Sequence, residues 1–159
     1  MEQLINKHMR HTLLTLCISI IYMTVSAQFV AKMEVKEPIP GLCNDQEVYA
    51  LFPSLKGQEE AVCPLTNNQI LERLNNEVQY LKDHPKYDDK GMIGLVINFK
   101  GEVVKCKMDN KTRTPELDKQ IEDVFNSLGS WTTGKLNGKE VDTSRLFSFK
   151  IKNGKITFG

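Results

Sequence analysis

Ile93, Leu95, Ile97 and Phe99 alternate with Gly94, Val96, Asn98 and Lys100. After a turn at Lys100-Gly101, Val104, Cys106 and Met108 alternate with Val103, Lys105 and Lys107. A period of two marks a half-buried strand, and two such runs across a glycine turn form a hairpin with one apolar face. That face must be covered, so the chain has to supply amphipathic helices on one side of the sheet. No other feature narrows the fold as much.

Two helices are available. Thr66-Asn67-Asn68-Gln69 has the form of a capping box, with Leu65 and Ile70 at the positions of a hydrophobic staple. Ile70, Leu71, Leu74, Val78 and Leu81 then lie on one helical stripe. Pro85 excludes helical backbone from its predecessor, which predicts a helix from Asn67 to Asp83. Thr114-Pro115 starts a second, with threonine as cap and proline at the first helical position. Leu117, Ile121, Val124, Phe125 and Leu128 repeat along it, and Gly129 ends it.

The only tryptophan, Trp131, stands before Gly134 and the turn pair Asn137-Gly138. A further strand follows, with Phe147, Phe149 and Ile151 facing opposite to Ser148, Lys150 and Lys152. Asn153-Gly154 then turns the chain into a terminal flap. The expected fold is α+β: a small antiparallel sheet of about three strands with two helices packed on one face.

Residues 1–27 read as a signal peptide. Lys7 and Arg10 precede the apolar run Leu13 to Val25, and Val25-Ser26-Ala27 offers a cleavage site before Gln28. An uncleaved anchor is the alternative, although thirteen helical residues span only about 20 Å of a hydrocarbon layer roughly 30 Å thick. A lipoprotein site at Cys17 is disfavoured by the bulky Leu16 before it. Cleavage removes Lys7, Arg10 and Glu2 from 21 basic and 20 acidic residues, leaving 19 of each. A neutral balance gives no electrostatic case for nucleic acid or an anionic membrane. Residues 28–64 form an irregular leading segment, in which QFVAKMEV allows a short edge strand or an arm. Residues 65–159 form the folded domain.

An exported chain meets an oxidising compartment. Cys43 and Cys63 flank a loop-like stretch and are the expected disulfide, while Cys106 is expected as a buried thiol. Closing that loop stabilises by roughly 3 kcal/mol in the chain-entropy model; three reduced thiols are the alternative.

Catalytic signals are missing. Of His8, His11 and His84, only His84 outlasts cleavage, and it precedes a proline at a helix end. The cysteine spacings do not make a zinc site. Asp88-Asp89 reads as a turn and Glu122-Asp123 as a solvent-facing helix pair. No calcium loop or phosphate-binding glycine loop is present. The chain is therefore expected to be neither an enzyme nor a cofactor carrier.

GLVINFKGEV, TPELDKQIEDVFNSL, WTTGKLNGKEV and RLFSFKIKNG follow one another in an order that resembles the C-terminal domain of TonB-family energy transducers. The resemblance covers about residues 65–159. Trp131 and Gly134 fall on the aromatic and glycine of the family's turn into its last strand, although Thr133 replaces the favoured proline. The resemblance implies binding without catalysis, in which a peptide from a TonB-dependent outer-membrane receptor adds as a strand to the edge of the last long strand. Here that strand is Ser144, Arg145, Leu146, Phe147, Ser148, Phe149 and Lys150. Trp131, Gly134, Asn137 and Gly138 would be structural. The implied location is the periplasm. A short transducer anchored in the inner membrane, or an accessory protein dimerising through the same edge, are the alternatives.

Overall fold

The computed structural model describes residues 29–43 and 47–159; the signal or anchor expectation lies outside them. The architecture is α+β, and the sheet is larger than expected. Six strands form it: β1 (Ala31–Glu34), β2 (Glu47–Ala50), β4 (Asp89–Ile97), β5 (Val103–Asn110), β8 (Thr143–Lys152) and β9 (Lys155–Phe158). A second, three-stranded sheet joins β3 (Gln58–Glu59) to β6 (Gly134–Leu136) and β7 (Lys139–Val141). The three expected strands are β4, β5 and β8. The other three come from the leading segment, which is not irregular throughout, and from the terminal flap.

The main sheet runs β1-β2-β8-β4-β5, with β9 also paired to β8. Strand β4 pairs antiparallel with both β5 and β8. It begins at Asp89, earlier than the alternation indicated, and ends before Phe99. A register shift between Val96 and Ile97 puts Val103, rather than Val104, toward the main core. Val104 packs on the opposite face with Ile39, Val48 and Val96. The leading segment thus covers part of the sheet's second face.

Helices α1 (Asn67–Glu77), α2 (Gln79–Asp83) and α3 (Pro115–Asn126) cover the first face. The capping box at Thr66 and Gln69 is formed as its sequence requires. The single long helix expected there is broken at Val78, whose ψ of 97° is extended. The break is accommodated by a distant partner: the Gln120 Oε1 on α3 accepts the Tyr80 amide at 2.9 Å, within the first turn of α2. Thr114 precedes α3 but makes no capping bond. Its hydroxyl instead meets the Tyr80 and Tyr87 hydroxyls at 3.3 and 3.2 Å.

The helix stripes and the sheet close on a core that includes Ile70, Leu74, Ile93, Leu95, Ile121 and Phe125. Trp131 is in it, 4% exposed, with its ring edge-on to Phe147. Its backbone is locked against the β4–β5 turn, where the Trp131 amide donates to the Gly101 carbonyl at 2.8 Å. Gly101 has a φ of +83°, and a Cβ there would run into the Trp131 carbonyl oxygen, so this contact requires glycine. Asn137 and Gly138, with φ of 52° and 79°, form the two-residue turn between β6 and β7. Gly134 packs under Thr143, again where a side chain would collide.

Candidate functional site: the outer edge of β8

The resemblance placed a free sheet edge along Ser144 to Lys150. The structure corrects this, because β8 is flanked on both sides. One side carries β4 along nearly its whole length. On the other, β9 pairs with Phe149 through Lys152, and the Gly159 amide donates to the Ser148 carbonyl at 3.1 Å. Near the start of β8, β2 makes one parallel bridge, Tyr49 with Thr143, and the Tyr49 amide donates to the Asp142 carbonyl at 2.9 Å. Only the β2 part of this coverage depends on a long-range contact; the β9 part is a hairpin closed by the Asn153-Gly154 turn. Between the two, from the Ser144 carbonyl to Phe147, β8 has no strand partner on its outer side among the described residues; the Ser144 amide is taken by the Tyr49 carbonyl as the second bond of the parallel bridge.

The two-residue period decides which backbone groups face that gap. Ser148 and Asp142 use their carbonyls on the outer side, so Ser144 and Leu146 present theirs there too, while Arg145 and Phe147 turn toward β4. The gap is about 13 Å long at 3.3 Å per residue. Leu146 is 59% exposed. On the helix side of the sheet the gap opens into a groove of about 350 Å³, walled by the 60–67 segment and floored by Trp131, Arg145 and Phe147.

Two other strands carry side-chain clamps on their outer edges. On β9, the Asn75 Oδ1 of α1 accepts the Ile156 amide at 2.9 Å, and its Nδ2 donates to the Ile156 carbonyl at 3.1 Å. A primary amide thereby occupies the place of a neighbouring strand. On β5, the Glu122 Oε1 of α3 accepts the Met108 amide at 2.9 Å, and its Oε2 takes the Lys107 ammonium at 2.9 Å. Glu122 is thus an edge clamp and not the solvent-facing residue its sequence position suggested. Such clamps deny an exposed ladder to other chains.

The leading segment is pinned beside the gap by Asp142, which is buried. Its carboxylate accepts the Cys43 amide at 2.7 Å and the Phe99 amide at 2.9 Å. The expected Cys43–Cys63 disulfide is not formed: Cys43, Cys63 and Cys106 are all free. Cys43 is fixed at Asp142, whereas Cys63 follows the Val62–Thr132 bridge into the groove wall, where its sulfur accepts the Leu65 amide at 3.5 Å. Burial pushes the Cys63 thiol above its ordinary pKa. It drives Cys106, buried as expected, up to about 12, with Glu122 adding to the rise.

Trp131, Arg145 and Phe147, which the sequence singled out, meet at the groove floor. Ser148 to Lys150 lie under β9 and outside it. Asn137 and Gly138 shape the separate β6–β7 turn. Sequence reasoning missed Glu60, whose carboxylate pairs with the Arg145 guanidinium across the groove, and the clamps Asn75 and Glu122. An asparagine inside a helix, a poor choice by propensity, was the one signal that could have exposed Asn75. No family model, curated protein or solved structure matches this chain.

Proposed function

We infer that the protein is a non-catalytic binding module that accepts an extended peptide as an added strand along Ser144 to Phe147 of β8. The one observation that carries this reading is the unpaired stretch of β8 opening on a groove. Backbone hydrogen bonds to the Ser144 carbonyl and to both backbone groups of Leu146 would supply affinity, and the groove would select side chains. In this reading the domain is TonB-like and acts in the periplasm. Its partner is a peptide segment of a TonB-dependent outer-membrane receptor, and its role is in transport across that membrane.

The test is a titration of the isotopically labelled protein with a peptide from the periplasm-facing end of such a receptor. The expected result is saturable shifts of the Leu146 amide, with small changes in β5. Peptides that leave the Leu146 amide unmoved at millimolar concentration would sink the reading.

A further inference from the structure

Basic and acidic residues nearly balance along the chain, 21 against 20, but the fold does not mix them. Phe147, Phe149 and Ile151 of β8 point into the helix-covered core, so Leu146, Ser148, Lys150 and Lys152 point out from the opposite face. Residues directly opposite one another across a strand pair share a face. Lys90 of β4 stands opposite Lys150, and Lys155 of β9 opposite Lys152, which adds both to that side. Lys105 joins them through its pairing with Val96, which packs on this face. These lysines are all exposed, and none has an ion-pair partner among the described residues. Within β4, β5, β8 and β9 the face carries one carboxylate, Asp109.

Such an arrangement costs stability. Like charges directly opposite one another repel, and here Lys90–Lys150 and Lys152–Lys155 stand in adjacent rows. Their Cα atoms lie within about 12 Å, one strand spacing on either side of β8 and two residues' rise along it. Asp88, just before β4, is engaged by the Asn153 amide at 2.6 Å. The helix layer has the reverse bias. Helix α3 holds Glu116, Asp118, Glu122 and Asp123 against Lys119 alone, and α1 holds Glu72 and Glu77 against Arg73. The molecule thus has an acidic side and a basic side with the sheet between them. Apolar groups stand in the basic face as well: Leu146 and Met33, both exposed, line a hollow of about 330 Å³ over Gly94.

We propose that this face docks on an anionic lipid surface, with the lysines over the headgroups and Leu146 and Met33 at the acyl boundary. Charge complementarity selects the partner. The lysines form a two-dimensional array over adjacent strands, broader than one extended peptide follows. β4, β5, β8 and β9 present no aromatic ring on this side for a nucleic-acid base to stack on, because Phe147, Phe149 and Phe158 all pack toward the helices. A headgroup layer supplies negative charge across the whole patch, and the exposed apolar side chains add to the attachment. The acidic helices then face away from the membrane, which fixes the orientation. The inference is independent of strand addition, because the unpaired groups of β8 lie at its edge and not on its face.

The experiment sediments the intact protein with vesicles of phosphatidylcholine alone, or of phosphatidylglycerol and phosphatidylcholine in equal parts. Binding to the anionic vesicles is expected to be at least about tenfold tighter. That preference should vanish at about 1 M salt, where the screening length falls to about 3 Å. Each lysine close to an anionic surface contributes a factor of about five, so K150Q/K152Q should weaken binding about 25-fold. The same variant should unfold at no lower urea concentration than the parent, since it relieves both like-charge pairs. K82Q, on helix α2, should bind as the parent does. A spin-labelled lipid should broaden the Leu146 and Lys150 resonances and leave α3 sharp. Equal binding to the two vesicle types, a K150Q/K152Q protein that binds like the parent, or broadening of α3 first would overturn the proposal. So would tighter binding to polyglutamate or a short DNA duplex than to the anionic vesicles, since the face would then serve a different polyanion.

Discussion

Replacing Asn75 tests the idea that side chains close the sheet. Its amide makes two bonds to the Ile156 backbone and a third to the Leu71 carbonyl at 2.8 Å. Two neutral bonds to β9 contribute about 1 kcal/mol each. In N75A both are lost and the Ile156 amide loses its acceptor, while alanine returns about 0.5 kcal/mol of helix propensity. The net destabilisation is about 2 kcal/mol. N75D retains an acceptor for the Ile156 amide but sets a carboxylate against the Ile156 and Leu71 carbonyls. It should therefore cost at least as much as N75A. Urea unfolding followed by Trp131 fluorescence reads the effect. With a slope of about 2 kcal/mol/M, the midpoint should fall by about 1 M in each variant. An alanine variant within about 0.5 kcal/mol of the parent refutes the reasoning. So does an aspartate variant as stable as the parent, since acceptance alone would then suffice.

Further expectations concern acid, backbone and thiols. Burial raises the Asp89 carboxyl, but the Arg113 amide, the Tyr87 hydroxyl, the Lys90 amide and the Arg113 guanidinium outweigh it and bring it down to about 2, from 3.8. Because the folded value is depressed, its stabilisation is present above about pH 4 and is lost as the pH falls toward 2. After allowance for solvent screening this is about 1–2 kcal/mol, and D89N should flatten that part of the stability–pH curve. G101A should destabilise by at least about 2 kcal/mol in thermal or urea unfolding, from positive φ and the collision with the Trp131 carbonyl together. With a thiol reagent and mass mapping under native conditions, Cys43 should react first and Cys63 more slowly. Cys106 should react only on unfolding, and an early Cys106 adduct would contradict the packing.

What could be read directly from the sequence was local. The Thr66–Gln69 box and the Asn137-Gly138 turn are settled within a few residues, so they could be recognised before any tertiary contact was known. Trp131 as a core anchor was equally readable. The break at Val78 was not, because its compensation comes from Gln120 on another helix. The free edge was misjudged partly for the same reason, and partly because the flap after Asn153-Gly154, legible in the sequence, folds back along β8 itself. β2 reaches β8 through one parallel bridge, and the leading segment is tied down by Asp142, ninety-nine residues beyond Cys43. Glu60 lies in a segment without periodicity, and only the folded chain brings it to Arg145.

Hydrogen exchange along β8, resolved by residue, tests the central claim most directly. In the free protein the Leu146 amide, facing the unpaired side, should exchange far faster than those of Arg145 and Phe147, which turn toward β4. A bound peptide should bring Leu146 to the protection of its neighbours. A Leu146 amide already as protected as Arg145 and Phe147 in the free protein would mean that the edge is occupied, and would contradict the account.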